Sequence, residues 1–419
     1  MEICQGVALH VLPSKKFKEI GWYIRFLQPL NEERASVWSL LALMMSDRLE
    51  AYPSKQMMSR HLDDLYGMVI GAQTIGYGRS QVLELRMKMM HPCFAHDSEE
   101  YLTEGIAFLR EMITRPLLNE ECLQEAKRIL HAKLKRMRDD ASQYAVSQGL
   151  KLAGKGEALA VSALGESERI DHVTLEEIVE AHRTLLEESH VDIIVCGDLQ
   201  KESIEERLRT LIEWKDRTRP VLTHYAITHE HPCARQVETR DIPQSSIMQV
   251  YFTHTDITDA DYYALRVMNA MLGQYSTSLL FQNVREKNSL CYSIYSSLIA
   301  FDGALGIMTG VEKKDIDTVL RLIDEQIETL RSGRFDDALL SVSQTMIINS
   351  LRAGDDNMNT MAALQYQNDL LGRSDTSADI IRLVEQVTRE DVIKAAKKLE
   401  HKATYIVRSE EDADETDHE

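Results

Sequence analysis

Two segments of the sequence, half a chain apart, carry the same pattern. They are residues 173–185 and 387–399, and their first positions are 214 residues apart. Each has a threonine followed three residues later by an acid, the capping-box pattern of a helix start, and then apolar residues at helical spacing. A short β-rich run follows each, at 190–195 and 403–407. A repeat with so long a period predicts a duplicated domain rather than a solenoid of short units.

Further segments recur in the same order at nearly the same distance. An aspartate pair at 139–140 is echoed by a pair at 355–356, which is 216 positions later. Near the start of each half, an apolar strand precedes a polar turn and an apolar helix, over 22–45 and 246–272. Several matches in one order are hard to obtain by chance, so the whole chain is predicted to consist of two related halves.

The boundary between the halves is predicted where periodicity is lost. Residues 216–238 contain two prolines and no sustained period, which is typical of a linker. We predict one domain over 1–215 and a second over 239–419 that ends in an acidic tail. Strands and helices mix without regular βαβ alternation, so the predicted class is α+β. The strand candidates are 6–12, 22–27, 81–87, 191–196, 247–252, 291–296 and 306–310.

Charge and cysteine content restrict the possible partners and compartment. The chain has 48 Lys+Arg and 67 Asp+Glu, for a net charge of −19, and binding to nucleic acid or an anionic membrane needs clustered cations. The six cysteines are spread widely with no CxxC pair, which favours free thiols in a reducing compartment. We find no signal-peptide pattern and no membrane-length apolar run. We therefore expect a cytoplasmic protein that binds neither nucleic acid nor membrane.

The sequence has few patterns typical of a metal site. The sequence contains no HExxH or HxxEH spacing. One local cluster, His224, His229, His231 and Cys233, has ligand types that suit zinc. It lies in the irregular linker, which gives its side chains no fixed geometry. An exposed linker is therefore the favoured interpretation of this cluster.

A helix-to-strand corner in the second half brings two hydrogen-bonding residues into proximity. Arg285 lies near the predicted end of a helix and Tyr292 near the start of the next strand. A guanidinium and a phenol are suited to holding a peptide carbonyl. The alternative is that Arg285 caps its own helix and Tyr292 is half-buried packing. Chemistry alone favours the alternative.

The run Leu280-Phe-Gln-Asn-Val-Arg-Glu-Lys-Asn-Ser-Leu-Cys-Tyr-Ser resembles the RLFxxxREKxGLAYS stretch of the pitrilysin/insulinase zinc metallopeptidases, which include the mitochondrial processing peptidase subunits. Leu279 stands where the family often has arginine. The two-domain repeat is also similar to that family's. The resemblance implies that each half is an antiparallel sheet packed with helices, as in a processing-peptidase half-shell. It also implies that Arg285 and Tyr292 bind the substrate backbone.

The resemblance breaks down at the catalytic residues. Active members carry HxxEH on a helix, about ten residues before a Tyr-Pro-Ser that matches 52–54 here. Counting back from that anchor places Ser39 and Leu43 at the two histidines and Ala42 at the general base. The distal glutamate ligand falls on Lys133, or on Ala132 if the alignment slips by one residue.

Catalytic zinc needs three protein ligands, an open water position and a base, which these residues do not supply. The resemblance therefore implies a lost zinc site, no cofactor and no catalytic residue. The predicted function is an inactive peptidase-family subunit that binds peptide and pairs with an active zinc metallopeptidase homologue as a heterodimeric processing protease. By itself we expect it not to be an enzyme. Two alternatives stay open: an active zinc-dependent metalloendopeptidase with atypical ligands, such as the linker histidines, or a non-proteolytic homodimeric scaffold.

Overall fold

The computed structural model describes residues 2–218 and 232–410. The linker residues His224, His229 and His231 and the acidic tail beyond residue 410 lie outside this description. No helix in the described ranges is both long enough and apolar enough to cross a membrane. All six cysteines are unpaired.

Strands and helices alternate irregularly along the described chain. The strands are β1 (Glu2–Cys4), β2 (Val7–Pro13), β3 (Glu19–Pro29), β4 (Val69–Tyr77), β5 (Ser80–Met90), β6 (His190–Gly197), β7 (Ala234–Arg240), β8 (Ser245–Phe252), β9 (Cys291–Ile299), β10 (Ala304–Val311) and β11 (Glu400–Ser409). The helices are α1 (Glu32–Met45), α2 (Lys55–Asp64), α3 (Ser98–Thr114), α4 (Glu120–Asp139), α5 (Ala141–Ala153), α6 (Ser167–His172), α7 (Leu175–Glu187), α8 (Lys201–Leu211), α9 (Tyr262–Asn269), α10 (Ile316–Arg331), α11 (Asp337–Gly354), α12 (Met358–Leu370), α13 (Ser377–Glu385) and α14 (Arg389–Lys398). Two π-helical turns follow α9, at Ala270–Gln274 and Phe281–Glu286.

The strands form two mixed sheets, which confirms the predicted α+β class. The described part of the first sheet has the order β1-β2-β6-β3-β5-β4, and that of the second has the order β7-β11-β8-β10-β9. In each sheet one pair of strands is parallel, β2 with β6 and β7 with β11, and the other pairs are antiparallel. Each predicted strand candidate coincides with most of an observed strand.

The repeated helix starts are formed by the residues that predicted them. The Thr174 hydroxyl accepts from the backbone N–H of Glu177, whose carboxylate accepts from the Thr174 N–H, and Thr388 and Asp391 do the same. Such a cap satisfies two backbone donors that the first turn of a helix leaves unpaired. Helix α7 then packs on α1, and α14 packs on α9.

Packing divides the chain into two compact units that are discontinuous in sequence. Unit 1 comprises Met1–Leu134, Val161–Thr223 and Gly354–Ser374, and unit 2 comprises the rest. Helix α12 therefore belongs to the unit of the first sheet, where it packs on β6 and β3. Helix α5 belongs to unit 2 and packs on β8 and β11. The predicted ranges 1–215 and 239–419 describe the duplicated sequence and stay a prediction.

A glycine allows α5 to approach the second sheet closely. A Cβ atom built on Gly149 would lie 2.6 Å from Cγ of Met248 on β8. A larger residue at this position would push the helix away from the sheet, because real Cβ contacts are longer than this. Sequence inspection of α5 alone gives no indication that its partner strand lies more than 90 residues further along the chain.

Strand β3 is buried on both faces, and its two faces differ in chemistry. Trp22, Ile24 and Phe26 lie in the large apolar core of unit 1. The intervening Tyr23 and Arg25 contact α12: the Tyr23 hydroxyl donates to Asn359 Oδ1 at 2.7 Å, and Arg25 Nη1 donates to the Ala362 carbonyl at 3.2 Å. A strand covered on both sides is expected to be almost continuously apolar, so a charged residue within it requires a specific partner.

Candidate functional site

Helix α1 carries the positions that the family resemblance assigns to zinc. The helix begins at Asn31, whose side chain accepts from the backbone N–H groups of Glu33 and Arg34. The Ser39 side chain lies inside the unit, and its hydroxyl is 2.8 Å from Thr74 Oγ1 and 3.2 Å from the Ala163 carbonyl. The Ser39 oxygen is therefore already used in the packing of α1.

The other family positions have no metal-binding atoms that could replace the missing set. Ala42 is 1% exposed and Leu43 is partly buried in the same apolar core, and neither side chain has a lone pair. Lys133, on α4, is exposed, and its ammonium group repels a cation. Ala132, the position reached if the alignment slips by one residue, has a methyl side chain that cannot bind a metal. The residues at these positions do not fit a zinc ion, which requires nitrogen, sulfur or carboxylate ligands.

Arg285 and Tyr292 lie together in unit 2. Arg285 is in the second π-helical turn, with its guanidinium carbon 4.5 Å from the ring centroid of Phe281 and 5.6 Å from that of Tyr292. These distances are those of cation–π contacts. Local insertions of π-helix occur frequently at functional sites. The sequence spacing thus correctly predicted the proximity of the two side chains, but it gave no indication of the π-helical turn.

The surroundings of the pair differ from the packing alternative. Tyr292 is 81% exposed, so it is not half-buried packing. Among the described residues, the Arg285 guanidinium makes no hydrogen bond to a carbonyl of its own helix. Its Nε lies 3.6 Å from a carboxylate oxygen of Glu286. Both side chains therefore present polar atoms to solvent.

Strand β9 places Tyr292 on the edge of its sheet. Within the described residues, β9 pairs only with β10, so its other side has unpaired backbone donors and acceptors. Such an edge can add an extended peptide as a further strand. The first π-helical turn packs on β9 through Gly273, where a Cβ atom would lie 2.8 Å from the Ser296 backbone nitrogen.

A buried polar layer beneath α12 was missed by sequence reasoning. Arg25 and Glu84 are almost completely buried and form an ion pair at 2.5 Å. The Arg25 guanidinium carbon lies 4.6 Å from the ring centroid of Tyr366 on α12. The available signal was a charged residue within an apolar strand, which occurs at Arg25 in β3 and at Asp192 in β6.

Comparisons with known proteins agree with this fold. Residues 172–347, which include Arg285 and Tyr292, match the family model described as peptidase M16 inactive domain. A Bacillus subtilis protein called probable inactive metalloprotease YmfF is 25% identical over 413 residues, covering 97% of each chain.

Two solved structures share the fold over nearly the full length. A conserved protein from Enterococcus faecalis V583 superimposes with a TM-score of 0.91 at 27% identity, over 99% of both chains. A structure titled peptidase M16 inactive domain, from Pseudomonas fluorescens, gives a TM-score of 0.78 at 17% identity, over 98% of this chain and 97% of the other.

The fold and the matched domain thus define the class as M16 peptidase-like, which confirms the predicted resemblance to the pitrilysin/insulinase family. Within that class, the matched domain and the Bacillus subtilis relative are both described as inactive, in agreement with the substituted positions on α1 and α4.

Proposed function

We propose that the chain is a non-catalytic subunit that binds an extended peptide at Arg285, Tyr292 and the β9 edge, and that it pairs with an active zinc metallopeptidase homologue. The observation that carries the proposal is a pair formed by an exposed phenol and a partly exposed guanidinium beside an unpaired strand edge, in a chain whose α1 offers no zinc ligand at the family positions. The result would be a heterodimeric processing protease in which the partner supplies the zinc.

The chemistry of the pair is suited to a peptide backbone. The guanidinium has five N–H donors in a planar fork, and the phenol both donates and accepts. A peptide lying along β9 would exchange backbone hydrogen bonds with the edge, while Arg285 would donate to one of its carbonyl oxygens. Backbone contacts of this kind favour an extended conformation and select little for side chains.

The pairing and the location rest on the family resemblance. A subunit without a zinc site contributes to proteolysis only through a partner that has one. We propose a partner that carries the HxxEH motif, and cytoplasmic assembly without zinc at the family's motif positions and without nucleic acid or membrane. The name of the Bacillus subtilis relative, probable inactive metalloprotease, supports the non-catalytic part of this proposal.

Peptide binding can be tested by fluorescence anisotropy with a library of labelled, unstructured peptides. Arg285→Ala is expected to weaken binding at least tenfold, since a charge-assisted hydrogen bond is lost. Arg321→Ala is the matched control, because Arg321 is an exposed arginine of the same unit that pairs with Glu325 on α10. Equal affinities for wild type and Arg285→Ala would refute the assigned peptide site.

Pairing and catalysis need separate measurements. The purified chain is expected to cleave no peptide, with or without EDTA. Mixing it with an HxxEH-containing homologue from the same genome is expected to give a complex by size-exclusion chromatography and faster cleavage. EDTA-sensitive hydrolysis by the chain alone would instead support the active-enzyme alternative. Absence of both a complex and a rate change would remove the partner role.

A further inference from the structure

Three metal-ligand side chains converge in unit 1, away from the family's zinc positions. They are His10 on β2, Asp192 on β6 and Asp369 on α12, and one ligand atom from each lies within 4.8 Å of the others. The His10 Nε2 atom is 3.6 Å from Asp192 Oδ1 and 3.7 Å from Asp369 Oδ1. The cluster lies in the polar layer between the first sheet and α12.

Asp192 provides a second, independent observation. Its side chain is completely buried, and neither carboxylate oxygen has a hydrogen-bond partner. The His10 Nε2 atom is also buried without a hydrogen-bond partner. A buried carboxylate without a hydrogen bond is costly, and such groups are normally paired or bound to a metal; the nearest nitrogens here, those of His10 and His190, are 3.6 and 3.4 Å away. The Asp192 Oδ1 atom, which has no hydrogen bond, lies within the cluster at 3.6 Å from His10 Nε2.

We propose that His10, Asp192 and Asp369 form a binding site for a divalent cation, with zinc the preferred ion. Two ligand atoms that are each ~2.1 Å from a tetrahedral zinc are about 3.4 Å apart, close to the 3.6 and 3.7 Å observed here. An imidazole and two carboxylates are accepted zinc ligands. The two carboxylate charges would balance the charge of the ion.

Neighbouring side chains are placed to orient the ligands. The His190 Nε2 atom is 3.4 Å from Asp192 Oδ2, the oxygen on the other side of the carboxylate. The Gln365 amide on α12 is 3.1 Å from His10 Nδ1. With its oxygen turned toward an Nδ1–H group, that amide would leave the Nε2 lone pair free for a metal. Such outer contacts commonly fix the tautomer and the orientation of a metal-binding histidine.

The site would be structural rather than catalytic. Asp192 is fully buried, and the side chains of His10 and Asp369 are only 14% and 17% exposed, which leaves little room for a substrate. The ion would tether α12 to β2 and β6. The proposal differs from the sequence prediction of no metal, which rested on Ser39, Ala42, Leu43 and Lys133; none of these belongs to this cluster. It is also independent of the proposed peptide-binding function.

The competing explanation is that protons, and not a metal, balance the carboxylates. His10 and His190 as imidazolium groups would supply the two positive charges that Asp192 and Asp369 need. This arrangement would hold the same side chains together at similar distances. The two explanations differ in one measurable property, namely whether a metal is bound and stabilises the fold.

The experiment measures zinc in the full chain, stripped with EDTA and then titrated with zinc chloride. Wild type is expected to bind one zinc per chain by calorimetry and elemental analysis, with a rise in melting temperature of at least 5 °C. Asp369→Asn and His10→Gln, at the two partly exposed ligands, are expected to weaken zinc binding at least tenfold. Circular dichroism of the metal-free variants checks that they are folded.

Two controls separate this site from other sources of zinc. His131→Gln removes a histidine that pairs with Asp171 at 2.8 Å in the same unit but, in the described part of the chain, belongs to no group of three metal ligands. This variant should bind zinc as wild type does. Replacing His224, His229 and His231 with alanine should also leave one zinc bound. The proposal is wrong if wild type binds no zinc, or if only the linker variant loses it. It is also wrong if both ligand variants fold and bind zinc as tightly as wild type.

Discussion

The α1 positions and the Arg285–Tyr292 pair, the two places singled out by the family resemblance, have opposite surroundings. On α1, Ser39 and Ala42 lie inside the core, and neither offers a basic nitrogen or a carboxylate. In unit 2, Tyr292 is exposed and Arg285 is partly exposed beside a strand edge. In the proposed function, the positions that catalysis would need and the groups that would bind peptide thus belong to separate compact units. Substitutions in one unit can therefore remove catalysis without touching the binding groups of the other.

The largest effect is expected when the family's zinc ligands are restored at the positions on α1 and α4. The combined change Ser39→His, Ala42→Glu, Leu43→His and Lys133→Glu should fail to restore hydrolysis. It should lower the free energy of unfolding by more than about 4 kcal/mol, because it forces larger polar groups into a packed core. Urea denaturation measures the stability, and a peptide assay with added zinc measures activity. A folded, zinc-dependent protease would show that α1 is still a working active-site scaffold.

The difference in burial between the two units can be tested with two glutamates, each of which lies beside an arginine. Glu84→Gln should destabilise the protein by about 3–5 kcal/mol, since it leaves the buried Arg25 charge without its partner. Glu286→Gln, beside the partly exposed Arg285, should change stability by less than about 0.5 kcal/mol. Urea denaturation of both variants at pH 7 provides the measurement. Similar losses in the two would contradict the difference in burial.

A buried carboxyl in the unit of the exposed pair predicts a pH dependence. Burial raises the pKa of Asp302 to about 6, from its ordinary value of 3.8. The folded state therefore holds this proton more tightly than the unfolded state, so the contribution of Asp302 to stability falls as pH rises from about 4 to 6. The loss is complete above that range and amounts to at most about 3 kcal/mol.

Asp302→Asn removes this titration. At pH 7.5 the variant should be more stable than wild type, by about 2 kcal/mol, and the difference should shrink towards pH 4. Urea midpoints measured at several pH values for both proteins check this prediction. Asp317→Asn, at an exposed position of the same unit, serves as the control. A stability difference that does not vary with pH would show that Asp302 does not titrate as stated.

The smallest expected effect is at the proposed binding pair itself. Arg285→Lys keeps the charge but loses the planar fork of donors, so peptide affinity should fall by about 1 kcal/mol, roughly fivefold. Stability should be unchanged, because the side chain is partly exposed. Anisotropy titrations beside Arg285→Ala measure the difference. An affinity equal to that of wild type would mean that charge alone, without fork geometry, accounts for the contribution of Arg285.

Local patterns in the sequence predicted local structure well. The Thr174 and Thr388 capping boxes and most strands form as expected, because their determinants lie within a few residues of one another. Strand β7 was missed, since part of it falls in the predicted linker and it is ordered by pairing with β11. The packing of α12 on the first sheet was also not predicted, because it depends on strands that lie more than 150 residues earlier in the chain.

The two candidate sites differ in predictability for the same reason. Arg285 and Tyr292 are seven residues apart, so one turn between a helix and a strand suffices to bring them together. His10, Asp192 and Asp369 come from three distant elements, and no spacing motif connects them. The visible signal was Asp192 itself, a charge in an apolar run that reads as a buried strand. The linker histidines, the alternative ligands, lie outside the described residues.

Helix α12 belongs to unit 1 and α5 belongs to unit 2, and this assignment has a consequence for synthesis on the ribosome. The first sheet can receive its covering helix only after residue 370 has left the exit tunnel, long after β6 has been made. At ordinary elongation rates the face of β3 and β6 that α12 covers would stay exposed for on the order of ten seconds or more. Helix α5 would also emerge before β8 and β11, the strands on which it packs, have been synthesised. A nascent chain arrested before α12 should therefore bind chaperones more strongly than one arrested after it.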